Sequence, residues 1–240
     1  MADRCLLYYI TNRNQFPGDA ETRRRSLLAK VADAVNAGVD YIQLREKDLS
    51  GRELETLARD ALAIVHDNSA RISANPELRT RTELSGAELS AAEQGTRLLI
   101  NSRTDIALAT GAGGVHLRSD DMSPSDVRAI WNSCGPSAQA RVPVPVIAVS
   151  CHRVEETFHA ASEQAGIAVF APVFEKNMTS GVGLAALHEA CQAKIPVLAL
   201  GGVTLENAAS CLQAGAAGVA AIRLFQENKI EDVVRALRSL

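Results

Sequence analysis

Long apolar runs are missing from this chain of 240 residues. None approaches the roughly 20 residues that a membrane-crossing helix needs, so a protein built on such helices is excluded. An excess of positive charge is missing too: 25 basic residues stand against 28 acidic ones, for a formal net charge of −3. A general nucleic-acid binder carries a basic face, and this balance argues against one, though a local Arg and Lys cluster can still hold a phosphorylated small molecule. Cysteine is sparse and unpaired in sequence. Cys5, Cys134, Cys151, Cys191 and Cys211 are scattered and form no CxxC pair, which reads as reduced thiols in a cytoplasmic protein. No basic start followed by an apolar stretch opens the chain, so no signal peptide is expected.

What is present is a repeated phrase. Short β-rich runs occur at Leu6–Ile10, Asp40–Leu44, Arg97–Asn101, Gly113–Leu117, Pro145–Val149, Ile167–Ala171, Pro196–Leu200 and Ala217–Ile222. Several are almost wholly apolar, as strands covered on both faces must be. Helical patterns lie between them at Glu21–Asn36, Gly51–Asp67, Pro124–Trp131, Val154–Gln164, Leu184–Gln192, Leu205–Gln213 and Ile230–Leu240, with a short turn at Thr104–Thr110. Helices run into glycine in "NAGVD", "ATGAGGVH", "EQAGIAV" and "LQAGAAGV". Helix, glycine, then strand is the sign of parallel βαβ units, and eight of them close into a barrel. The expected fold is therefore α/β, a single-domain (β/α)8 TIM barrel over residues 1–240, a fold that typically takes about 250 residues. An open doubly wound sheet is the alternative. Residues 66–96 are polar and fit no unit, so they read as an atypical insertion before the third strand.

In such barrels chemistry sits at the C-terminal ends of the strands. After the second run comes Gln43-Leu44-Arg45-Glu46-Lys47. Strand alternation puts Gln43, Arg45 and Lys47 on one side, a plausible diphosphate clamp of one planar fork and one mobile point charge. The competing reading is a salt-bridged strand end, with Glu46 neutralising one cation. Gly201-Gly202-Val203-Thr204 follows the seventh run, where paired glycines let backbone approach an anion and a helix start offers free N–H groups. Ile222-Arg223 follows the eighth, and barrels often bind phosphate at these two loops. Asn101 ends the third run and His116 lies near the end of the fourth, with Asp120 and Asp121 beyond it. Those carboxylates suit either Mg²⁺ or a helix cap. Ser150-Cys151-His152 follows the fifth run and can touch a ligand or simply cap a helix.

Together these residues resemble the thiamine-phosphate synthase family, which includes thiazole tautomerase-type relatives. The matching phrases are "LYYIT" (7–11), "DYIQLREKDLSGREL" (40–54), "LLINSRTDIALATGAGGVHL" (98–117), "AVSCH" (148–152), "FAPVFEK" (170–176), "IPVLALGGVTLEN" (195–207) and "AGAAGVAAI" (214–222). They run in order along the chain and leave only 66–96 unmatched; the Gln-Leu-Arg-Glu-Lys phrase is the most specific.

The resemblance implies a cytoplasmic transferase that joins hydroxymethylpyrimidine diphosphate to thiazole phosphate, releasing pyrophosphate with the help of Mg²⁺. It implies that Gln43, Arg45, Lys47 and Ser150 hold the diphosphate, and that Tyr8, Asn101 and His116 line the pyrimidine pocket. Gly201, Gly202 and the backbone of Ile222 and Arg223 would cradle the thiazole phosphate. Asp121 would be a metal ligand, with Ser102 at the position of a second. Arg45, Lys47, Ser150 and Lys176 are the expected catalytic groups, and Lys176 and Thr179 are expected against the substrate.

Three departures stand out. The family's Asn-Asp after the third strand is Asn101-Ser102 here. Its Gly-Gln after the fourth is Arg118-Ser119. Its Pro-Thr-x-Thr-Lys after the sixth reads Glu175-Lys176-Asn177-Met178-Thr179. Two other functions fit the same resemblance: an isomerase-type relative acting on thiazole phosphate with His152 as proton shuttle, and a non-catalytic thiazole- or thiamine-phosphate binding protein. The expected partners are phosphorylated small molecules, with no nucleic acid and no membrane, and a homo-oligomer is compatible with the sequence.

Overall fold

A computed structural model describes residues 4–74, 95–133, 145–175 and 180–240. Eight parallel strands close in sequence order into a barrel, β1 pairing with both β2 and β8. They are β1 (Leu6–Ile10), β2 (Tyr41–Leu44), β3 (Arg97–Asn101), β4 (Gly114–Leu117), β5 (Val146–Cys151), β6 (Ile167–Phe170), β7 (Val197–Ala199) and β8 (Gly218–Ala221). Around them run α1 (Ala20–Ala37), α2 (Gly51–Ala74), α3 (Thr104–Thr110), α4 (Pro124–Ser133), α5 (Val154–Ser162), α6 (Gly183–Ala190), α7 (Ala208–Gln213), α8 (Arg223–Gln226) and α9 (Ile230–Arg238). All eight expected strands form, each within two residues of its expected ends. The closed order excludes the open sheet.

Local chemistry fixes the helix ends. Asp19 caps α1 by accepting from the Thr22 N–H at 2.8 Å, and Gly38 ends that helix at φ +81°, a conformation other residues rarely adopt. Ser50 and Glu53 form a reciprocal box at the start of α2: Glu53 Oε2 accepts from the Ser50 N–H at 2.9 Å. α2 continues to Ala74, past the expected end at Asp67 and into the expected insertion. The rest of that insertion, residues 75–94, lies outside the described residues, as do Cys134, Lys176 and Thr179.

Strand parity divides the core in two. Leu7, Tyr9, Ile42, Leu44, Leu98, Ile100 and their counterparts face outward and pack under the helices. Tyr8, Ile10, Leu99, Ala148, Ile167, Val169, Leu198 and Ala220 face inward and fill the barrel. No helix among the described residues is long and apolar enough to cross a membrane.

The end of the barrel where the strands begin is closed by charge. Asp40 Oδ2 accepts from the Leu7 N–H and from Arg238 of α9, both at 2.7 Å, and its backbone joins β1 and β3. Arg238 also donates to the carbonyls of Cys5 and Gly38, so the last helix is tied to both of the first two strands. Removing the carboxylate leaves a strand N–H without its acceptor and a partly buried guanidinium without the carboxylate it pairs with. We expect Asp40→Ala to cost about 2–4 kcal/mol of stability, while Arg4→Ala, whose side chain is half-exposed, costs under about 1 kcal/mol. Urea unfolding of the two variants checks the difference.

Candidate active site

Inward parity at the C-terminal half of the barrel gives way from apolar to polar side chains. The register sets Gln43 beside Leu99, Asn101 beside His116 and Ser150 beside Val169. A hydrogen-bonded relay crosses this interior. The Tyr8 phenol lies 2.7 Å from His116 Nδ1, and His116 Nε2 lies 2.8 Å from Ser150 Oγ. In the tautomer with the proton on Nε2, the phenol donates to Nδ1. Nε2–H then donates to Ser150, which leaves the hydroxyl proton free to point to a ligand. Burial, and then the nearby Arg45 charge, push His116 down to about 3, so the imidazole is neutral.

Beside this relay Gln43 Nε2 donates to Asn101 Oδ1 at 2.7 Å, and Asn101 Nδ2 donates to Ser102 Oγ at 3.1 Å. Gln43 is 1% exposed, and its Oε1 is buried without a hydrogen-bond partner among the described residues. An unpaired buried acceptor is costly.

The cations sit higher, at the rim. The expected common face of Gln43, Arg45 and Lys47 holds only in part, because β2 ends at Leu44 and Lys47 lies in the following turn. Gln43 belongs with the neutral interior. Arg45 is partly buried and its ionisation is pushed down by desolvation; Lys47 is exposed and is depressed chiefly by the Arg45 charge. Like charges thus crowd together, with the Glu46 charge opposing at Arg45. Glu46 nevertheless forms no salt bridge with Arg45 or Lys47 among the described residues. It turns to the other side, buried, and accepts from Thr11 Oγ1 at 2.6 Å and from the Arg13 N–H at 2.9 Å. Thr11 Oγ1 in turn accepts from the Arg45 N–H at 3.0 Å, so Thr11 and Glu46 fix the backbone that carries Arg45.

Opposite lie the two glycines. Gly201 and Gly202 take φ +95° and +64°, and a Cβ on Gly202 would meet Phe174 Cβ at 2.8 Å and Glu175 O at 3.0 Å. The expected helix does not open at Thr204. Asn207 Oδ1 captures the Thr204 N–H at 2.8 Å and its Nδ2 reaches the Gly202 carbonyl at 2.9 Å, so α7 begins only at Ala208. Across from them Ile222 and Arg223 begin α8. Gln226 anchors that helix: its Oε1 accepts from Tyr9 Oη at 3.1 Å and from the Asn12 N–H at 3.2 Å, and its Nε2 donates to the Asn12 carbonyl at 2.8 Å.

His152 lies at the mouth, and its Nδ1 donates to the Ala171 carbonyl at 2.8 Å. Cys151 is buried and its thiol is pushed up to about 11, which rules it out as a thiolate nucleophile near neutral pH. Sequence reasoning missed Thr11, Gln226 and Asn12. Only their three-dimensional partners distinguish them from ordinary polar loop residues.

The expected metal pair, Asp121 with Ser102, is brought near enough for the Ser102 hydroxyl to act on the Asp121 carboxylate. Yet Asp121 Oδ2 accepts from the Arg118 N–H at 2.7 Å, and Oδ1 lies 3.1 Å from the Arg118 guanidinium. Among the described residues no three His, Cys, Asp or Glu side chains gather into a metal-holding group. Asp121, with both oxygens engaged, and the neutral Ser102 hydroxyl make a weaker Mg²⁺ pair than two free carboxylates would.

Fold and site define a TIM-barrel protein with a neutral polar interior and a cationic rim. The sequence profile of the thiamine monophosphate synthase family matches residues 7–88 and 77–225, and the chain belongs to that family. A Geobacter sulfurreducens relative, provisionally a thiamine-phosphate synthase, is 37% identical over 98% of this chain and 93% of its own. The thiamine-phosphate synthase of Clostridium novyi is 31% identical over 98% of this chain and 96% of its own. Among solved structures, the thiamine phosphate pyrophosphorylase of Pyrococcus furiosus superposes with a TM-score of 0.71 at 22% identity, covering 99% of this chain and 96% of that one.

The neutral His116 gives a pH test. Its native value lies below the unfolded value near 6.5, so above that pH it contributes no dependence. As pH falls below 6.5 the unfolded chain takes up the proton first, and stability drops by up to about 1.4 kcal/mol per unit until His116 itself protonates near 3. Urea titrations from pH 7 to 4 should show this slope reduced in His116→Gln. Equal slopes in both proteins would mean that the imidazole is charged in the fold.

Proposed function

We propose that this chain is a thiamine-phosphate synthase, a cytoplasmic transferase of thiamine biosynthesis. It joins hydroxymethylpyrimidine diphosphate to thiazole phosphate. The observation that carries the reading is the buried, unpaired Gln43 Oε1 inside a neutral barrel, below a rim where Arg45 and Lys47 crowd together. An aminopyrimidine supplies the N–H that this acceptor lacks, and its diphosphate extends to the rim. The free cysteines among the described residues, Cys5, Cys151, Cys191 and Cys211, support the cytoplasmic placement.

In the reaction the bond between the pyrimidine methylene carbon and the diphosphate oxygen breaks, and the bonding pair leaves with the diphosphate. The thiazole nitrogen then donates its lone pair to that carbon. No proton has to be abstracted and no protein nucleophile is needed. The residues have three tasks. Tyr8, Gln43, Asn101 and His116 orient the pyrimidine, and their neutrality leaves the electron-rich ring free to spread the developing positive charge. Arg45 and Lys47, with the Ser150 hydroxyl, take up the negative charge that grows on the leaving diphosphate. Gly201, Gly202 and the backbone at Ile222 and Arg223 hold the thiazole phosphate so that its nitrogen faces the carbon. Lys176 and Thr179 belong to the same proposed substrate set on the resemblance alone.

Coupled detection of thiamine phosphate and pyrophosphate from the two substrates tests the reading, and absence of both products would sink it. Arg45→Ala and Lys47→Ala should each raise the KM for the diphosphate substrate about ten- to a hundredfold, the range for one lost hydrogen bond to a charged group. Thermal midpoints should stay within a few degrees. Gly202→Ala should instead raise the KM for thiazole phosphate and lower stability by about 1–3 kcal/mol, because it combines a left-handed backbone with a close approach to Phe174.

A further inference from the structure

We propose that the Arg118 guanidinium takes the place of a divalent cation at the diphosphate end of the site, so that the protein binds pyrophosphate without Mg²⁺. The proposal rests on the synthase reading for the identity of its ligand. Arg118 is the first residue after β4, at the mouth of the barrel. Its guanidinium lies 3.1 Å from Asp121 Oδ1 through Nη2 and 3.4 Å from Asp120 Oδ1 through Nε. Ser102 Oγ accepts from Asn101, Asn101 Oδ1 accepts from Gln43, and the Ser102 hydroxyl lies close enough to act on the Asp121 carboxylate that Arg118 holds.

A dication at Asp121 would have to displace a guanidinium that Asp121 already holds, and the neutral Ser102 hydroxyl stands where a second anionic ligand is expected. Arg118 also belongs to the cationic rim, since its charge acts with that of Arg45 to depress Lys47. A guanidinium carries five N–H donors in a planar fork suited to phosphate oxygens. The contacts described use Nε and Nη2, which leaves the Nη1 pair for a ligand.

The competing role for Arg118 is a staple of the turn before α4. A half-exposed pair of this kind contributes little to stability, so removing it is a clean test. In Arg118→Gln the backbone N–H to Asp121 survives and only the charge is lost; Arg118→Lys keeps a charge and loses the fork. Inorganic pyrophosphate is titrated calorimetrically into each protein, with EDTA and separately with Mg²⁺. The expected result is binding by the wild type in EDTA, changed less than about threefold by Mg²⁺. Arg118→Gln should weaken metal-free binding about ten- to a hundredfold, with Arg118→Lys between the two and melting temperatures nearly equal. Two results overturn the proposal: wild-type binding that disappears in EDTA, or metal-free binding that Arg118→Gln leaves unchanged. Thiamine phosphate formation is followed in the same buffers. If the synthase reading alone is wrong, no product forms in either buffer, while the pyrophosphate titrations still decide the role of Arg118.

Discussion

Everything in this protein depends on the parity of a closed parallel barrel. Each strand sends alternate side chains inward, and closure leaves the inward set no way to reach solvent except through the ends. Leu99, Ile167, Val169 and Leu198 fill the interior, and the same parity delivers Tyr8, Gln43, Asn101, His116 and Ser150 into it. A slip of one residue in any of these strands would exchange a pocket group for an outward-facing Leu, Ile or Val. The site is thus as precise as the strand register.

Two electrostatic regimes are stacked along the barrel axis. Deep inside, desolvation keeps groups neutral: His116 is pushed down to about 3, and the Tyr8 phenol is pushed well above its usual range. Nearer solvent, charge is tolerated and concentrated in Arg45, Lys47 and Arg118. Glu46 is the natural neutraliser by sequence position, yet Thr11 and the Arg13 N–H draw it away. Glu46 is thereby kept out of a salt bridge with Arg45, although its charge still acts there. Burial pushes Glu46 up, and its hydrogen bonds oppose that shift; the same bonds hold the backbone of Arg45 in place.

The loops opposite are fixed by amide side chains. Asn207 spans Gly202 and Thr204, and Gln226 joins α8 to the loop after β1. Gly201 and Gly202 lie so close to Pro172 and Phe174 that the loops after β6 and β7 form one packed unit. Anchoring of this kind places backbone N–H groups rigidly without spending side-chain charge on them.

The sequence by itself determined the barrel. Eight apolar runs alternating with glycine-terminated helices permit few other closures, because parallel strands need both faces covered and each crossover needs a helix. It also named most of the site, since strand ends are where function sits in this fold, and the Gln-Leu-Arg-Glu-Lys phrase gave Gln43, Arg45 and Lys47 their neighbourhood. It did not decide how those three divide: only the end of β2 at Leu44 shows Gln43 inside and Lys47 on the turn. Nor could it give Glu46 its partners, since Thr11 and Arg13 are far away along the chain. Arg118 read as one basic residue beside two acidic ones. Its place beside Ser102 and Asn101 exists only once β3 and β4 lie side by side, because neighbours distant in sequence follow from register and not from spacing.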